Sequence, residues 1–523
     1  MKPRIVLGTL GTVLKILGLI MLCPGFVAAI YHETAGVISF ALSSLLALLT
    51  GMILTRMGSV EELGNKEAYG VVTVGWLLAA IFGALPFIFQ GIGIVDALFE
   101  SISGFSATGA TILSEKSLDG YYIVNSTLAN SSLSWYLVGA IKSGLGANSS
   151  LGPYLSSGPK TYFGLLFWRA LSQLVGGMGI ILLYVAILPH LGVAGRQLFK
   201  AEVVGPIKDT ITPKVRQTAR ILWEVYLLFV GAMIVLLIAA GMPVFDSICT
   251  AFAALATGGF SPRADSIAFY NSPLIDAIVA FFIFLGATSF TLHYRALHDG
   301  GLRDWMKDSE LRFFILLLAA ATVLLVIFGG IEGDLPTRIR FAAFQVVSFM
   351  GTCGFVNTLT FDSWTAAAKL ALIMVMLIGG CAGSTAGGIK VVRLLIDLKY
   401  AQNELFCMLH PSAITLVKVG KTAIKEDILR PILFYSFFYL VAFFALSLLL
   451  AMVSAGDPKV DLLVATSGVA SCMGGVGPGF GVLSFDWTAI SPEGKMIGFF
   501  CMWIGRLELL PVFLLFSWEL WKK

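Results

Sequence analysis

Charged residues are scarce in this chain: Asp, Glu, Lys and Arg make up 13% of its 523 residues, whereas hydrophobic residues make up 57%. A soluble multidomain enzyme of this length carries far more charge on its surface, so the composition excludes that class. Apolar runs at 221–240, 313–328 and 432–453 approach or reach the ~20 residues with which a helix crosses ~30 Å of hydrocarbon. The sequence therefore indicates an all-α polytopic membrane protein.

Groups that bind nucleic acid or metal, or that catalyse reactions, are also sparse. A formal net charge of +4 is small for this length and gives no indication of a nucleic-acid partner. The seven cysteines form no CxxC pair or metal-ligand spacing, and we expect them to be buried small residues. The five histidines accompany no clustered carboxylates, so we expect interfacial or loop positions for them. Without a GxSxG or SxxK motif in a plausible context, an intramembrane enzyme is a remote alternative.

Hydropathy predicts ten spans, of which the first is retained because no small-residue cleavage site stands out. They cover residues 5–29, 36–54, 70–90, 163–189, 218–241, 273–293, 312–330, 365–398, 431–454 and 496–519. An even number of spans places both termini on one side of the membrane. With a cytoplasmic N-terminus, 23 Lys and Arg residues fall on the cytoplasmic side and 8 on the other, which predicts cytoplasmic termini.

The last eight spans form four pairs, and the outer loop of each pair contains an apolar segment too short to cross the membrane. These segments are 96–109, 246–259, 340–354 and 461–477. In the first two, Asp96 and Asp246 precede a glycine by 13 residues and are predicted to cap a helix. About 8 to 10 helical residues would then rise only ~12 to 15 Å. We therefore expect four internal repeats, each with a re-entrant half-helix.

Each half-helix is followed by a short polar or glycine-rich segment, at 106–109, 256–259, 351–354 and 474–477. Non-helical backbone at membrane depth persists only where protein or water satisfies its polar groups. Four such segments around one axis predict a carbonyl-lined filter for a dehydrated monovalent cation, favoured further by the negative C-terminal ends of the half-helices. Glycine-rich turns could account for one segment but not for four in matching positions. Close helix packing does not account for the short length.

At these residues the chain resembles the Trk/Ktr/HKT superfamily of potassium transporters and, within it, the TrkH branch. The resemblance spans nearly the whole chain. Its motifs lie at 105–111, 167–173, 176–179, 256–262, 292–297, 351–355, 379–393, 475–480 and 505–509. It implies one pore built from four pseudo-symmetric M1–pore helix–M2 repeats, preceded by two extra transmembrane helices. The implied division is 1–60 for the extra helices, then repeats at 61–200, 201–300, 301–420 and 421–523.

The resemblance also implies which residues form the selectivity filter and bind K⁺. They are Ala107, Thr108, Gly109, Thr257, Gly258, Gly259, Thr352, Cys353, Gly354, Gly475, Val476 and Gly477. Glycine at the third position of every segment is similar to the potassium-selective pattern, because sodium-selecting relatives carry serine in the first repeat. Gly475, Cys353 and the neighbouring Met473 depart from the usual pattern and leave the stringency of selection open.

The eighth span contains five glycines within residues 379–388, and each costs a helix ~1 kcal/mol relative to alanine. We therefore expect the helix to be broken there. A phosphate-binding loop is excluded because Lys390 lies between Ile389 and Val391, without the GK[ST] ending. The resemblance implies an intramembrane gating loop, and close packing of helices is the alternative. The implied gating residues are Gly379, Gly380, Cys381, Ala382, Gly383, Ser384, Thr385, Ala386, Gly387, Gly388, Lys390 and Arg506.

Two arginines and one lysine have more than one interpretation. A charge at membrane depth costs at least ~2.5 kcal/mol and usually faces a partner or a cavity. The resemblance implies that Arg506 is an electrostatic barrier to cations in the pore wall, and the alternative is a buried ion pair with an acidic side chain, Glu508 being two residues away. For Arg169 we favour a structural role. Lys390 is either a charge of the gating loop or an interfacial anchor.

Residues 112–162 form a long external insertion with N-x-[ST] sequons at Asn125, Asn130 and Asn148. The insertion could fold over the pore mouth, contact a dimer partner or be specific to a lineage. The resemblance implies a homodimer in the cytoplasmic (inner) membrane and a separate cytosolic ring of TrkA-like RCK subunits. ATP/ADP or NAD would bind only that separate ring, and no covalent cofactor is expected.

The predicted function is uptake of K⁺, with Rb⁺ as a surrogate, through the filter and past the gating loop. The alternative within transport is a Na⁺- or H⁺-coupled secondary transporter. In such carriers the N-terminal ends of half-helices face an anionic solute, whereas here the filter follows their C-terminal ends.

Overall fold

The computed structural model describes residues 2–59, 64–123, 161–179, 215–301, 305–412, 416–420, 422–424 and 426–521. The described chain is almost entirely helical, as predicted; the strands are the two-residue pair Lys418–Val419 and Thr422–Ala423, an antiparallel hairpin in the loop before the last repeat. Six described helices are long and apolar enough to cross a membrane, and a bent pair gives a seventh. The protein is a multi-pass membrane protein.

Two helical spans precede the repeats. The first consists of Pro3–Ile20 and Leu22–Ile30, separated only at Met21, and the second is Thr34–Met57. They pack closely through glycines, because a Cβ on Gly11 would lie 2.7 Å from the Gly51 carbonyl oxygen, and the reverse contact is the same. Small residues allow this approach of two backbones where lipid provides no hydrophobic drive for association.

The remaining helices follow the predicted order of first helix, half-helix and second helix, four times. The first helices are Asn65–Phe89, Val215–Ala239, Ser309–Phe328 and Glu426–Val453. The half-helices, numbered 1 to 4 below, are Ile94–Phe105, Val244–Leu255, Leu335–Met350 and Leu462–Gly474. The second helices begin with Phe163–Gly177, Pro273–Gly286, Ala366–Ile378 and Pro492–Arg506.

The half-helices are longer than predicted, with 12, 12, 16 and 13 residues. At 1.5 Å per residue they rise ~18 to 24 Å, which is still short of the ~30 Å needed to cross. Half-helix 3 begins at Leu335 and not near Arg340, because Asp334 caps it by accepting from the Thr337 amide. Asp461 caps half-helix 4 in the same way, through the Val464 amide at 2.8 Å.

The predicted caps of half-helices 1 and 2 are wrong. The N-cap residues are Gly93 and Pro243, and Asp96 and Asp246 each lie three residues further on, in the first helical turn. Both carboxylates serve ion pairs instead. Asp96 pairs with Lys495 at 2.7 Å, and Asp246 pairs with Arg263 at 2.7 Å. A negative charge in the first turn still favours the helix N-terminus electrostatically.

Several spans predicted as continuous are broken. Pro273–Gly286 and Phe290–His298 meet at an angle of 100°, and the His293 ring bonds across the bend to the Leu285 carbonyl at 2.9 Å. The last span stops at Arg506 and resumes with Leu510–Leu515. As predicted, the glycine-rich span is interrupted, between Ile378 and the helix Val391–Leu409.

The expected positions of some cysteines and of one histidine are also corrected. Cys249, Cys353, Cys381, Cys472 and Cys501 are buried as predicted, but Cys23 is exposed and Cys407 is half-buried. His293, expected at an interface, is buried, and its ring nitrogen bonds to the Leu285 carbonyl, which also accepts from the Thr288 amide.

Candidate functional site

The four predicted filter segments share one backbone conformation. The first residue of each triplet has a left-handed φ, at 52° for Ala107, 52° for Thr257, 53° for Thr352 and 74° for Gly475. The third is always glycine with positive φ, at 87°, 77°, 79° and 102° for Gly109, Gly259, Gly354 and Gly477. Left-handed φ is costly for residues with a Cβ, so its recurrence at non-glycine residues requires support from the surrounding structure.

That support comes partly from the half-helix below each segment. The amide of each middle residue donates to a half-helix carbonyl five residues earlier: Thr108 to Ser103, Gly258 to Ala253, Cys353 to Ser348 and Val476 to Ser471, all within 2.8 to 2.9 Å. The same bond in all four repeats fixes where each segment leaves its half-helix. The four segments are therefore equivalent in backbone geometry, which the sequence predicted from their matching positions.

The four segments also touch in a closed ring. A Cβ on the filter glycine of one repeat would overlap the middle carbonyl oxygen of the next: Gly109 with Gly258, Gly259 with Cys353, Gly354 with Val476, and Gly477 with Thr108. All four separations are below 3.0 Å, closer than real Cβ atoms come to other atoms. The order 1–2–3–4–1 encloses a single axis, and all twelve predicted filter residues lie in this ring.

A buried network that the sequence did not reveal supports the ring at repeats 1 and 2. Glu100, on half-helix 1, is fully buried and pairs with Arg169 at 2.7 Å. Its carboxylate also accepts from the Thr111 hydroxyl and the Ile112 amide, just beyond the first filter segment. Arg169 donates onward to the Ser261 carbonyl of repeat 2 at 3.2 Å. The structural role favoured for Arg169 is confirmed.

Gln173 is a second residue to which sequence reasoning gave no role. Its side-chain amide bonds the Gly258 carbonyl and the Phe260 amide, on either side of Gly259. It follows Arg169 by one helical turn on the same second helix. The motif 167–173 contained both residues, but their partners lie 58 or more positions away in the chain.

The predicted gating residues from Gly379 to Lys390 form an irregular loop at the end of the ring that joins the half-helices, which is called its inner end below. The Thr385 hydroxyl donates to the carbonyl of Leu255, at the end of half-helix 2, at 2.9 Å, and lies 3.0 Å from the Gly286 carbonyl. The Gly387 amide donates to the Thr352 hydroxyl at 2.8 Å. Since Thr352 is the first residue of its filter triplet, the loop lies against the end of the filter that joins the half-helices.

Arg506 joins this loop to the opposite side of the ring. One guanidinium nitrogen donates to the Thr385 carbonyl at 2.9 Å, and the other donates to the carbonyls of Gly176 and Gly177 at 2.5 and 2.8 Å. These partners come from repeats 3 and 1, whereas Arg506 belongs to repeat 4. Glu508, considered as its ion-pair partner, instead pairs with Arg393 at 2.5 Å.

Lys390 makes a hydrogen bond within the loop. Its ammonium donates to the Ala386 carbonyl, and the residue is buried, which does not fit an interfacial anchor. Beside it, the Ala382 amide donates to the Glu310 carboxylate at 2.7 Å, which ties the loop to the first helix of repeat 3. In the described ranges, no cluster of three His, Cys, Asp or Glu residues could hold a metal ion.

The first residues of the insertion 112–162 pack against the chain that follows the second filter segment. Tyr121 lies under the Arg263 guanidinium, 3.5 Å from it, and its hydroxyl accepts from Arg263 at 2.7 Å. Burial raises the pKa of Tyr121 to about 12, so its hydroxyl stays neutral. Lys116 pairs with Asp265 at 2.9 Å. Residues 124–160, with the three sequons, lie outside the described residues.

Comparisons with known proteins agree with this architecture. The family model described as TrkH, cation transport protein, matches residues 34–522. The Trk system potassium uptake protein TrkH of Salmonella typhimurium is 36% identical over 512 residues, 96% of each chain, and TrkG of Escherichia coli is 30% identical over 525 residues, 99% of each. The crystal structure of the potassium transporter TrkH from Vibrio parahaemolyticus superimposes with a TM-score of 0.81 at 29% identity and covers 100% of both chains. The chain belongs to the TrkH family of cation transport proteins.

Proposed function

We propose that this protein takes up K⁺ across the cytoplasmic (inner) membrane through the ring of four filter segments. The observation that carries the proposal is the closed contact of each filter glycine with the middle carbonyl of the next repeat. Rings of backbone carbonyls replace the hydration shell of a dehydrated monovalent cation. The relatives named potassium uptake proteins support K⁺ as the ion, with Rb⁺ as its surrogate.

The loop 379–390 is the proposed gate. Its contacts with Leu255, Thr352 and Arg506 support this role, because Leu255 and Thr352 belong to the inner end of the ring. The positive charge of Arg506 beside the path would oppose a cation, and movement of the loop would release the Thr385 carbonyl from it. With the path open, K⁺ enters down an electrical gradient of ~2.3 kcal/mol per charge per 100 mV.

The oligomeric state, the membrane topology and the regulatory partner are part of the same proposal. We infer a homodimer with both termini in the cytoplasm, organised as residues 1–60 and repeats at 61–200, 201–300, 301–420 and 421–523. A separate TrkA-like RCK ring would bind ATP/ADP or NAD and act on the loop from the cytosolic side. The proposed activity is transport and not catalysis, and K⁺ is its cargo.

The test is uptake of ⁸⁶Rb⁺ into proteoliposomes that contain the purified protein, with K⁺, Na⁺ or choline as competitors and with a proton gradient present or absent. We expect uptake that K⁺ blocks, that Na⁺ blocks poorly and that needs no proton gradient. Uptake that requires the gradient would instead establish a coupled carrier. A variant lacking Gly380 to Gly387 is tested alongside, because its uptake does not depend on a regulatory partner. Absence of uptake in both proteins overturns the proposal.

A further inference from the structure

We propose that Gln173 determines ion selectivity by fixing the backbone of the second filter segment. The inference deepens the proposed function and rests on it. Gln173 is fully buried on the second helix of repeat 1, yet both of its hydrogen bonds reach into repeat 2. It is therefore a positioning residue, which acts on the filter backbone without belonging to a filter segment.

The two bonds hold the backbone on both sides of a filter glycine. The Gln173 Nε2 donates to the Gly258 carbonyl at 2.7 Å, and its Oε1 accepts from the Phe260 amide at 3.0 Å. Between these two residues is Gly259, with φ 77°. Glycine has the widest backbone freedom of any residue, so a side chain that fixes its two neighbours limits how far this segment can move.

The same contact explains why residue 258 is a glycine. A Cβ at Gly258 would lie 2.5 Å from the Gln173 Cδ, 2.7 Å from its Oε1 and 2.8 Å from its Nε2. Gly258 is not among the residues with positive φ, so its conformation alone does not demand glycine. The other repeats carry Thr108, Cys353 and Val476 at this middle position. Repeat 2 has no side chain there because the Gln173 amide occupies the space.

The bond to Gly258 also makes its carbonyl chemically different from the middle carbonyls of the other three repeats. The four middle carbonyls occupy equivalent places, each against the filter glycine of the preceding repeat. Across the described ranges, a side chain donates to such a carbonyl only at Gly258. A donor fixes the direction of the carbonyl and competes with a cation for its lone pairs. Since discrimination between K⁺ and Na⁺ depends on the size and the field strength of the carbonyl cage, removal of this donor will change it.

The first test replaces Gln173 with methionine, which keeps the length of the side chain and removes both hydrogen bonds. We expect the K⁺/Na⁺ discrimination, measured as the ratio of concentrations that halve ⁸⁶Rb⁺ uptake, to fall about tenfold, the equivalent of one unsatisfied buried group. Gln90→Met is the matched control. Gln90 is also buried and donates one hydrogen bond, to the Ser39 hydroxyl at 2.9 Å, outside the filter. It should leave the ratio unchanged.

The second test measures stability and not transport. It uses the overlap between a Cβ at position 258 and the Gln173 side chain. Gly258→Ala should lower the melting temperature of the purified protein because the new Cβ overlaps Gln173, whereas Gly258→Ala with Gln173→Ala should recover most of that loss. An unchanged ratio in Gln173→Met, or a Gly258→Ala variant as stable as the parent, overturns the inference. Lack of K⁺-selective uptake in both the unmodified protein and the variant lacking Gly380 to Gly387 would instead overturn the proposed function, and the stability test would still report on the contact.

Discussion

Each filter glycine combines a positive φ with a neighbouring carbonyl oxygen at the place where a Cβ would stand. Gly109→Ser and Gly354→Ser must therefore displace the carbonyls of Gly258 and Val476. We expect either change to lower K⁺/Na⁺ discrimination about tenfold or more, since 1.4 kcal/mol corresponds to tenfold and a displaced ligand costs at least that much. Competition of K⁺ and Na⁺ with ⁸⁶Rb⁺ uptake measures it.

Two further glycines provide the scale for this prediction. Gly477 is the least crowded filter glycine, because a Cβ there would lie 2.7 Å from the Thr108 carbonyl oxygen. Gly477→Ser should therefore have the mildest effect of the filter variants. At Gly231, on the first helix of repeat 2, nothing lies within 4 Å, and Gly231→Ser should leave selectivity unchanged. Unaltered selectivity in both Gly109→Ser and Gly354→Ser would count against the filter assignment.

Arg506 holds carbonyls from two other repeats, and its replacement should loosen the closed arrangement. We expect Arg506→Ala to raise ⁸⁶Rb⁺ uptake several-fold in the absence of any regulatory partner, because it removes both a cationic barrier and the bonds to Thr385 and Gly176. Arg506→Lys should be intermediate, since an ammonium keeps the charge but lacks the planar fork that reaches both partners. Uptake that stays at the parent level in Arg506→Ala would exclude the barrier role.

The residues of each filter triplet were implied only by the family resemblance, whereas the positions of the four segments were predictable, because glycine and small polar residues are conspicuous in apolar sequence. Gln173 and Glu100 were not, because a buried polar side chain is identified by its partners, which are distant in the chain. The same reason applies to Glu508, the acidic residue considered beside Arg506. It is two residues from Arg506 in sequence, but the chain turns through Glu508 and Leu509 with φ of 55° and 54°, and the carboxylate meets Arg393 instead.

At the scale of elements, hydropathy predicted the half-helices but not their first residues. Asp334 and Asp461 cap by the expected geometry, whereas Asp96 and Asp246 are drawn into ion pairs with residues that only the fold brings near. A carboxylate near a helix start fits either role, so sequence alone does not separate them.

Helix breaks were predictable only where several glycines mark them. The stretch 379–388 has five glycines in ten residues, whereas the bend after Gly286 and the stop at Arg506 each have a single glycine beside them. These breaks allow the Gly286 carbonyl and the Arg506 side chain to meet the loop. Tertiary contacts, not local propensity, stabilise them.

The loop itself gives a prediction at this scale. Deletion of Gly380 to Gly387 should raise basal ⁸⁶Rb⁺ uptake, because it removes the segment that contacts the inner end of the filter. Thr385→Val is a milder variant that keeps the shape and loses the hydroxyl bonds to Leu255 and Gly286, and it should raise uptake by a smaller factor. Thr288→Val, which loses only a bond to Phe284 in the preceding helix, is the matched control. A folded deletion variant with unaltered uptake would refute the gate.

At the scale of the whole molecule, polar contacts tie the repeats to one another and to the two preceding spans. Lys495 of repeat 4 reaches Asp96 of repeat 1, and the Glu33 carboxylate accepts from the amides of Phe163 and Gly164 at the start of the second helix of repeat 1. That helix carries Arg169, Gln173 and the Gly176 carbonyl. One helix therefore supports the filter at two repeats and also receives Arg506.

Replacement of Arg169 tests whether the polar contacts between repeats stabilise the folded protein. Arg169→Met leaves the Glu100 carboxylate buried without its cation, and breaking a buried pair in this way costs ~3–5 kcal/mol. We expect a large fall in the melting temperature of the protein in detergent. Glu100→Gln with Arg169→Met should be more stable than Arg169→Met alone, because a neutral amide avoids the uncompensated charge while it still accepts from the Thr111 hydroxyl or the Ile112 amide. Melting that is unchanged in Arg169→Met, or losses that simply add in the double variant, would show that the pair contributes little to holding repeats 1 and 2 together.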